Sequence, residues 1–362
     1  MGGYNMESTA LTVGIVGLGA HGTNHVERLR ELGHKVYGVD ANTTARREFR
    51  ERYNATTFES LDELYAQDLD AVIISTPNKF HETAAVDALE ADHNVLLEKP
   101  LAHTLASAER IADAANRTSN VCMVGFHHRY RNACQVVKSY VEDGYLGEIT
   151  HIDAQFIRRR GVPGRGTWYT SQDIAGGGAL IDVGAHVLDL LFFWTDWPTI
   201  TDAMAASRSD FGQHDDYTYL HMWGEDDRGK MYDVEDSVTA FCEFDSGMTA
   251  NIQVAWAANM ASTHSYRLRG TEAGMTIDIT NTLQEVEPDI DQRNDLQLYE
   301  ARSGRRNHFV NSEIIVSSND PYRDELETFL DAVQSGKRPK MTNVEQALDV
   351  QRAIDRIYRA SQ

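Results

Sequence analysis

The stretch from Leu11 to Asp40 constrains the fold more than any other. An apolar run, Leu11 to Val16, leads into Gly17, Gly19 and Gly22 at G-x-G-x-x-G spacing. Val26, Leu29 and Leu32 then recur at helical spacing, and a short run from Lys35 to Val39 ends on Asp40. The pattern predicts a buried strand, a tight turn, a helix and a second parallel strand. Each glycine has a physical reason there. Gly17 permits the turn, Gly19 lets the backbone approach a pyrophosphate, and Gly22 lets the helix pack close to the sheet. The helix N-terminus, at Ala20 and His21, offers unpaired N–H groups to the phosphates. Asp40 stands at the distance expected of an acid that accepts from a ribose 2′-hydroxyl. Glycines alone would be a weak signal, but placed between a strand and a helix they predict a dinucleotide site.

The alternation continues. Ala71 to Ser75, Asn94 to Leu97 and Val121 to Val124 read as strands, and Thr43 to Tyr53, Ser60 to Tyr65, Phe80 to Glu90 and Thr104 to Asn116 as helices. Such βαβ units imply a parallel sheet covered on both faces. Gly17, Asp40, Pro77, Lys99 and Phe126 each follow a strand, so they share the sheet edge where ligands bind. From about Thr150 the texture changes. His151 to Arg159, Ser237 to Phe244, Thr249 to Trp256, Ser265 to Arg269, Gly274 to Ile279 and Leu296 to Tyr299 read as strands joined by short turns, which favours antiparallel pairing. Helices return at Tyr322 to Ser335 and Val344 to Tyr358, and Arg208 to Tyr232 reads as a polar surface loop. The expected class is α/β: a Rossmann domain over 9–128, then an α+β domain over 129–362 with a large, mostly antiparallel open sheet.

Charge narrows the partners. Asp and Glu total 55 against 34 Lys and Arg, for a net charge of −21. Such a surface repels nucleic acid and anionic membranes. No run approaches the roughly 18 apolar residues of a membrane span, and Met1 to Ala10 lacks the pattern of a secretory signal. Cys122, Cys134 and Cys242 form no C-x-x-C pair and fit reduced, packed thiols. These features predict a cytoplasmic protein. The acid excess with scarce lysine resembles proteins of salt-loving archaea, or else marks a merely acidic protein; salt would screen its self-repulsion. Scarcity also makes a lysine beside other reactive groups more telling.

Two segments carry candidate chemistry: Glu98-Lys99-Pro100 at a strand end, and Gly176-Gly-Gly-Ala-Leu-Ile-Asp182-Val-Gly-Ala-His186-Val-Leu-Asp189. Asp182 and His186 are four apart and share a face if helical. Alone, that pair would read as exposed polar residues or a helix cap, and Lys99 as a surface charge. With Thr76-Pro-Asn-x-x-His81 and the late Pro321-Tyr322 and Gly336-Lys-Arg-Pro339, these segments make the chain resemble the Gfo/Idh/MocA family of glucose–fructose oxidoreductase and inositol dehydrogenase. The resemblance runs over nearly the whole length. It implies an NAD(P)-dependent oxidoreductase acting on a sugar, polyol or inositol, with Lys99, Asp182 and His186 at the nicotinamide.

The chemistry suits those types. Oxidising a secondary alcohol needs a base for the O–H proton, which His186 can be near neutral pH. Lys99 would stabilise developing alkoxide charge, and Asp182 would bind a hydroxyl or orient either partner. Which of Lys99 and His186 carries the proton stays open. The resemblance also implies Thr76, Pro77, Asn78 and Glu98 beside the cofactor. His81 either contacts it or faces solvent. His128, Arg129, Arg158 and Tyr169 are candidate substrate contacts. The run Arg158-Arg159-Arg160 suits a carboxylate or phosphate, or simply balances acidic surface. A zinc site built from His127, His128, His186 or His81 lacks any metal-binding spacing, so no metal is expected. Asp40 favours NAD, with NADP the alternative. The partners expected are a small sugar or cyclitol and a second copy, as a dimer or tetramer through the open sheet. Two other functions fit the same residues: an enzyme that keeps its cofactor bound and uses transient oxidation, and a non-catalytic nucleotide-binding protein.

Overall fold

The computed structural model describes residues 10–283 and 295–362, apart from 215, 221–223, 225, 228 and 230. Two sheets organise them. The first is built from β1 (Thr12–Val16), α1 (Ala20–Glu31), β2 (Lys35–Val39), α2 (Thr43–Tyr53), β3 (Thr57–Phe58), α3 (Leu61–Tyr65), β4 (Ala71–Ile74), α4 (His81–Glu90), β5 (Asn94–Glu98), α5 (Leu105–Arg117) and β6 (Cys122–Gly125). Its six strands run parallel in the order β3-β2-β1-β4-β5-β6. The order reverses between β1 and β4, and there the crossovers diverge and a crevice opens at the strand ends.

The second sheet follows α6 (Asn132–Glu142). Its elements are β7 (Ile149–Ile157), α7 (Gln172–Ala175), α8 (Ala185–Thr195), β8 (Ile200–Arg208), β9 (Ser237–Phe244), β10 (Thr249–Ala255), β11 (Thr263–Gly270), β12 (Ala273–Asp278), β13 (Asp295–Arg302) and β14 (His308–Ile314). The order is β14-β13-β12-β11-β7-β10-β9-β8, antiparallel except for β7 beside β10. The α/β class and the mostly antiparallel second sheet are as expected. Strands β8 and β14, and helix α6, were not. Both strands are sheet edges with one pairing partner, and their sequences, I-T-D-A-M-A-A-S-R and H-F-V-N-S-E-I, lack the inward apolar alternation of β9. The expected loop at 208–232 includes the end of β8. Beyond it most of the described residues are exposed, as a surface loop would be, while Tyr217 is buried and Asp226 pairs with Arg165 at 2.7 Å.

Helix α8 is apolar but for His186 and Asp189 before its last residue, and Ala185 to Trp194 are all buried. The helical stretch Gln172–Thr195 is long and apolar enough to cross a membrane by length and composition, but 83% of its most apolar window is buried inside the protein. It is the spine of the second module. Single polar residues and glycines hid it from the sequence reading. The chain's last helices, α9 (Pro321–Ser335) and α10 (Val344–Ala360), return to the first module. Leu326 and Phe329 of α9 pack in one core with Val13, Ile15 and Leu29. The Thr342 carbonyl, just before α10, accepts from the Val124 amide at 2.8 Å. All three cysteines are buried and free.

Arg129 corrects an expectation. It does not face a ligand but lies fully buried against Asp189 of α8, with Nε 2.9 Å from Oδ2. Its Nη1 donates to Gln346 of α10 at 2.6 Å, and its guanidinium lies over Phe126, Phe193 and Trp197. Burial lifts the Asp189 carboxyl to about 6, against the pull of Arg129. The pair joins the β6 turn, α8 and α10. Asp189→Ala would strand the guanidinium, so a loss of about 3–5 kcal/mol in urea denaturation is expected. A loss near that of an exposed pair, about 1 kcal/mol or less, would contradict this role.

Candidate active site

The first module builds a phosphate cradle at the end of β1. Gly17 has φ +91, and a Cβ there would lie 2.8 Å from the Ser75 carbonyl oxygen. A Cβ on Gly22 would lie 2.1 Å from the Gly17 oxygen, so both positions require glycine. Gly19 caps α1 with no side chain, and the first turn carries no acid, so its N–H groups stand open to an anion. Asp40 follows β2 and is braced by the Leu18 amide (2.8 Å) on Oδ2 and the Asn42 amide (2.7 Å) on Oδ1. Each oxygen keeps a lone pair for a hydroxyl donor. Gly17, Gly19 and Asp40 line a cleft of about 720 Å³ together with Ala20, His21, Thr76 and Pro77. Cradle, open helix end and acid fit a dinucleotide. Arg46, the nearest arginine on α2, is turned back onto the Asp40 and Ala41 carbonyls and Glu59.

A smaller cavity of about 40 Å³ adjoins it, and both modules supply its walls: Asn78, Glu98 and Lys99 from the first, Tyr169, Asp182 and Trp256 from the second. Lys99 follows β5 and reaches across, its Nζ donating to Asp182 Oδ1 at 2.8 Å and to the Asp182 carbonyl at 3.1 Å. The Trp256 indole N–H donates to Asp182 Oδ2 at 2.8 Å. Both carboxylate oxygens are therefore engaged, and Asp182 fixes Lys99. Burial works to raise the Asp182 carboxyl, but Lys99 and Arg158, with hydrogen bonds from Lys99 and Trp256, hold it below the usual range. The sequence did not point to Trp256. A lone tryptophan after a strand carries no signal of its own.

Local structure explains the glycines before Asp182. A Cβ on Gly176 would strike the His103 carbonyl, one on Gly177 the Tyr358 hydroxyl, and one on Gly178 the Glu235 carbonyl. Glu235 is a second residue the sequence reading missed. Its carboxylate accepts from the Gly178 and Leu180 amides and from the Tyr358 hydroxyl, each at 2.9 Å. It thereby bolts the turn that carries Asp182 to the start of β9 and to α10. Leu180–Gly184 is a π-helical turn rather than α-helix, so Asp182 and His186 do not stand at plain α-helical spacing.

His186 sits behind that turn among His127 and His128, ring centroids 5.1 and 4.5 Å away. Its Nδ1 is buried with no partner. Burial, then Lys99, His127, His264 and Arg158, push its imidazole well below 6.5, so it is neutral at neutral pH. The nitrogens of His127, His128 and His186 lie within 4.8 Å of one another, a spacing that invites a metal. The donor set does not suit one. Arg131 donates to His128 Nδ1 at 3.0 Å, which leaves the ring proton on Nε2 and no lone pair for an ion. The positive charges of Lys99, Arg131 and Arg158 also act on these rings.

Other expected contacts divide. Glu98 walls the cavity and accepts from His25 at 2.8 Å; burial would raise it, but the bond and charge of His25 hold it at about 2. Asn78 lines the cavity and also donates to the Ala175 carbonyl across the module boundary at 2.8 Å. His81 neither lines the cleft nor faces solvent: its buried ring bridges the Thr76 and Pro100 carbonyls at 2.9 Å each. Tyr169 stacks on Trp168 with centroids 3.7 Å apart, and both rings line both cavities.

A dinucleotide cleft joined to a two-module pocket defines an NAD-binding oxidoreductase class. Residues 11–126 match the oxidoreductase family with an NAD-binding Rossmann fold, GFO_IDH_MocA, and residues 134–276 match the GFO/IDH/MocA C-terminal domain. The chain belongs to this family. It is 28% identical to the D-glucoside 3-dehydrogenase of Escherichia coli over 99% of this chain and 97% of that one. It is 30% identical to the glucose-6-phosphate 3-dehydrogenase of Bacillus subtilis, over 54% of this chain and 56% of that one. The solved levoglucosan dehydrogenase complex with NADH shares the fold at TM-score 0.80 and 20% identity, over 98% of this chain and 97% of that one.

Proposed function

We propose that the protein is an NAD-dependent dehydrogenase that oxidises a secondary alcohol carbon of a sugar, polyol or cyclitol. The observation that carries this reading is the Lys99 ammonium, fixed by Asp182 where the dinucleotide cleft meets the smaller cavity. Bound nicotinamide would supply the hydride acceptor. Gly17, Gly19, Ala20, His21 and Gly22 would hold the pyrophosphate, Asp40 the ribose, and Thr76, Pro77, Asn78 and Glu98 the nicotinamide end. Lys99, a donor with no lone pair, hydrogen-bonds the reacting oxygen and stabilises its negative charge. His186, neutral and with a free lone pair, receives the proton. Residues 9–128 would serve the cofactor and 129–362 the substrate and subunit contacts. The paired Trp168 and Tyr169 also support a second reading, in which the cofactor stays bound between turnovers. Nicotinamide recovered from purified protein would favour it.

Sugars, inositols, polyols and sugar phosphates screened with NAD and NADP in high-salt buffer are expected to yield reduced cofactor absorbance with at least one class; none doing so would end the reading. Because His186 is neutral above its lowered value, its basicity is lost only as pH falls through that value. The acid limb of kcat/KM for oxidation is expected below pH 6.5, and a limb above it would remove His186 as the base. Asp40→Ala is expected to weaken NAD and improve relative use of NADP, since the carboxylate welcomes a 2′-hydroxyl and repels a 2′-phosphate. An unchanged preference would refute the ribose role.

We propose further that the cytoplasm houses this protein as a homo-oligomer, away from nucleic acid and membranes. The outward sheet face offers Met204 (77% exposed), Phe241 and Tyr299 among polar residues. Sedimentation in molar KCl is expected to give a dimer or tetramer and full stability; a monomer there would contradict the sheet interface.

A further inference from the structure

Three arginines in a row leave β7, and they have different fates. Arg160 donates to the Arg159 and Ala258 carbonyls and lies over Phe211. Arg159 reaches the Met260 carbonyl. Arg158 uses its backbone amide to hold the Ala255 carbonyl at 2.9 Å, which fixes its Cα beside the strand that leads to Trp256. Its half-buried side chain lies over the Phe156 ring, at 5.3 Å from the centroid. The Nε is sealed from water with no acceptor. Among the described residues, no hydrogen bond or ion pair is made by this guanidinium.

That is unusual in this chain. Acids outnumber bases by 55 to 34, and most of its arginines have found one. Arg158 instead stands beside the pocket, bonded through its amide to the residue before Trp256, and its charge acts on the lining residues Asp182 and Tyr169 and on His186 and His264 behind them. The local sum is positive. Lys99 and Asp182 cancel, the rings of His127, His128, His186 and His264 are pushed toward neutral, and Glu98 stands against two arginines, Arg131 and Arg158, of which Arg131 donates to His128. Arg158 is left over. A half-buried cation without a counter-ion carries a desolvation penalty that an incoming anion would relieve. Its planar fork of donors suits a carboxylate or phosphate.

We infer that Arg158 selects a sugar bearing an anionic group, a carboxylate or a phosphate, placed near the oxidised carbon. This rests on the dehydrogenase reading and names its substrate class. A guanidinium–anion contact is retained only by the correct substrate, and a neutral sugar of the same shape leaves the cation unpaired.

The test compares D-glucuronate and D-galacturonate, glucose 6-phosphate, and neutral glucose, galactose and methyl glucoside, each with NAD. Wild type, Arg158→Gln and Arg158→Lys are assayed, and binding of each sugar is measured by calorimetry without turnover. The expected result is a higher kcat/KM for an acidic sugar than for its neutral partner. In Arg158→Gln that preference falls by roughly 100-fold, and binding of the acidic sugar weakens in step. Arg158→Lys, which keeps the charge and loses the fork, falls between the two and covers the case in which the Gln variant does not fold. The uronate and phosphate arms tell the two anions apart. Neutral sugars oxidised as well as acidic ones, or a preference untouched in both variants, would overturn the inference and leave the dehydrogenase reading standing. No sugar of either kind reducing NAD would overturn both.

Discussion

An ion pair made across a module boundary organises this molecule. Lys99 stands at the end of a parallel strand, and Asp182 on a turn of the other module. Neither segment could place a charged group so deep without the other. Buried charges need a partner and well-formed hydrogen bonds, and here Trp256 supplies the bond that the second carboxylate oxygen needs. The demand passes outward. Asp182 is held by its turn, the turn by three glycines that leave no room for a Cβ, and those glycines by Glu235 and Tyr358. A second cross-tie, Arg129 with Asp189, runs through the core behind the same cleft. The two ties, with Asn78 on the Ala175 carbonyl, set the width of the pocket.

Electrostatics then divide the labour inside it. Five buried histidines near the cleft, at 81, 127, 128, 186 and 264, are all pushed toward the neutral form by burial. Among the described residues, Lys99, Arg131 and Arg158 bring positive charge to bear on these rings. A neutral imidazole beside a fixed ammonium pairs a proton acceptor with a stabiliser of negative charge, which alcohol oxidation requires. The protein's large negative charge resides elsewhere, on its exposed surface.

Much of this was legible in the chain. The parallel module follows from its glycine turn and βαβ rhythm, since a buried strand must be apolar throughout and the phosphate turn tolerates few residues. Lys99, Asp182 and His186 stood out in the sequence because their motifs are dense in glycine and charge. What escaped lies where sequence carries little physical signal. Edge strands β8 and β14 bury only one side, so their alternation is weak. Arg129 looks like a ligand contact until α8 brings Asp189 against it, a contact sixty positions away. Trp256 and Glu235 act through bonds to distant backbone and carboxylate groups, and a single residue in an ordinary strand or loop does not announce such a bond. The π-turn at Leu180–Gly184 likewise has no pattern of its own.

The most direct test of the account is a single-turnover measurement of reduced-cofactor formation in Lys99→Met, with NAD affinity followed by fluorescence on the same protein. If Lys99 holds the reacting oxygen, the hydride step slows by about 100-fold or more while the dinucleotide binds as before. A variant that reduces NAD at the wild-type rate would place the chemistry somewhere other than the junction of the two modules.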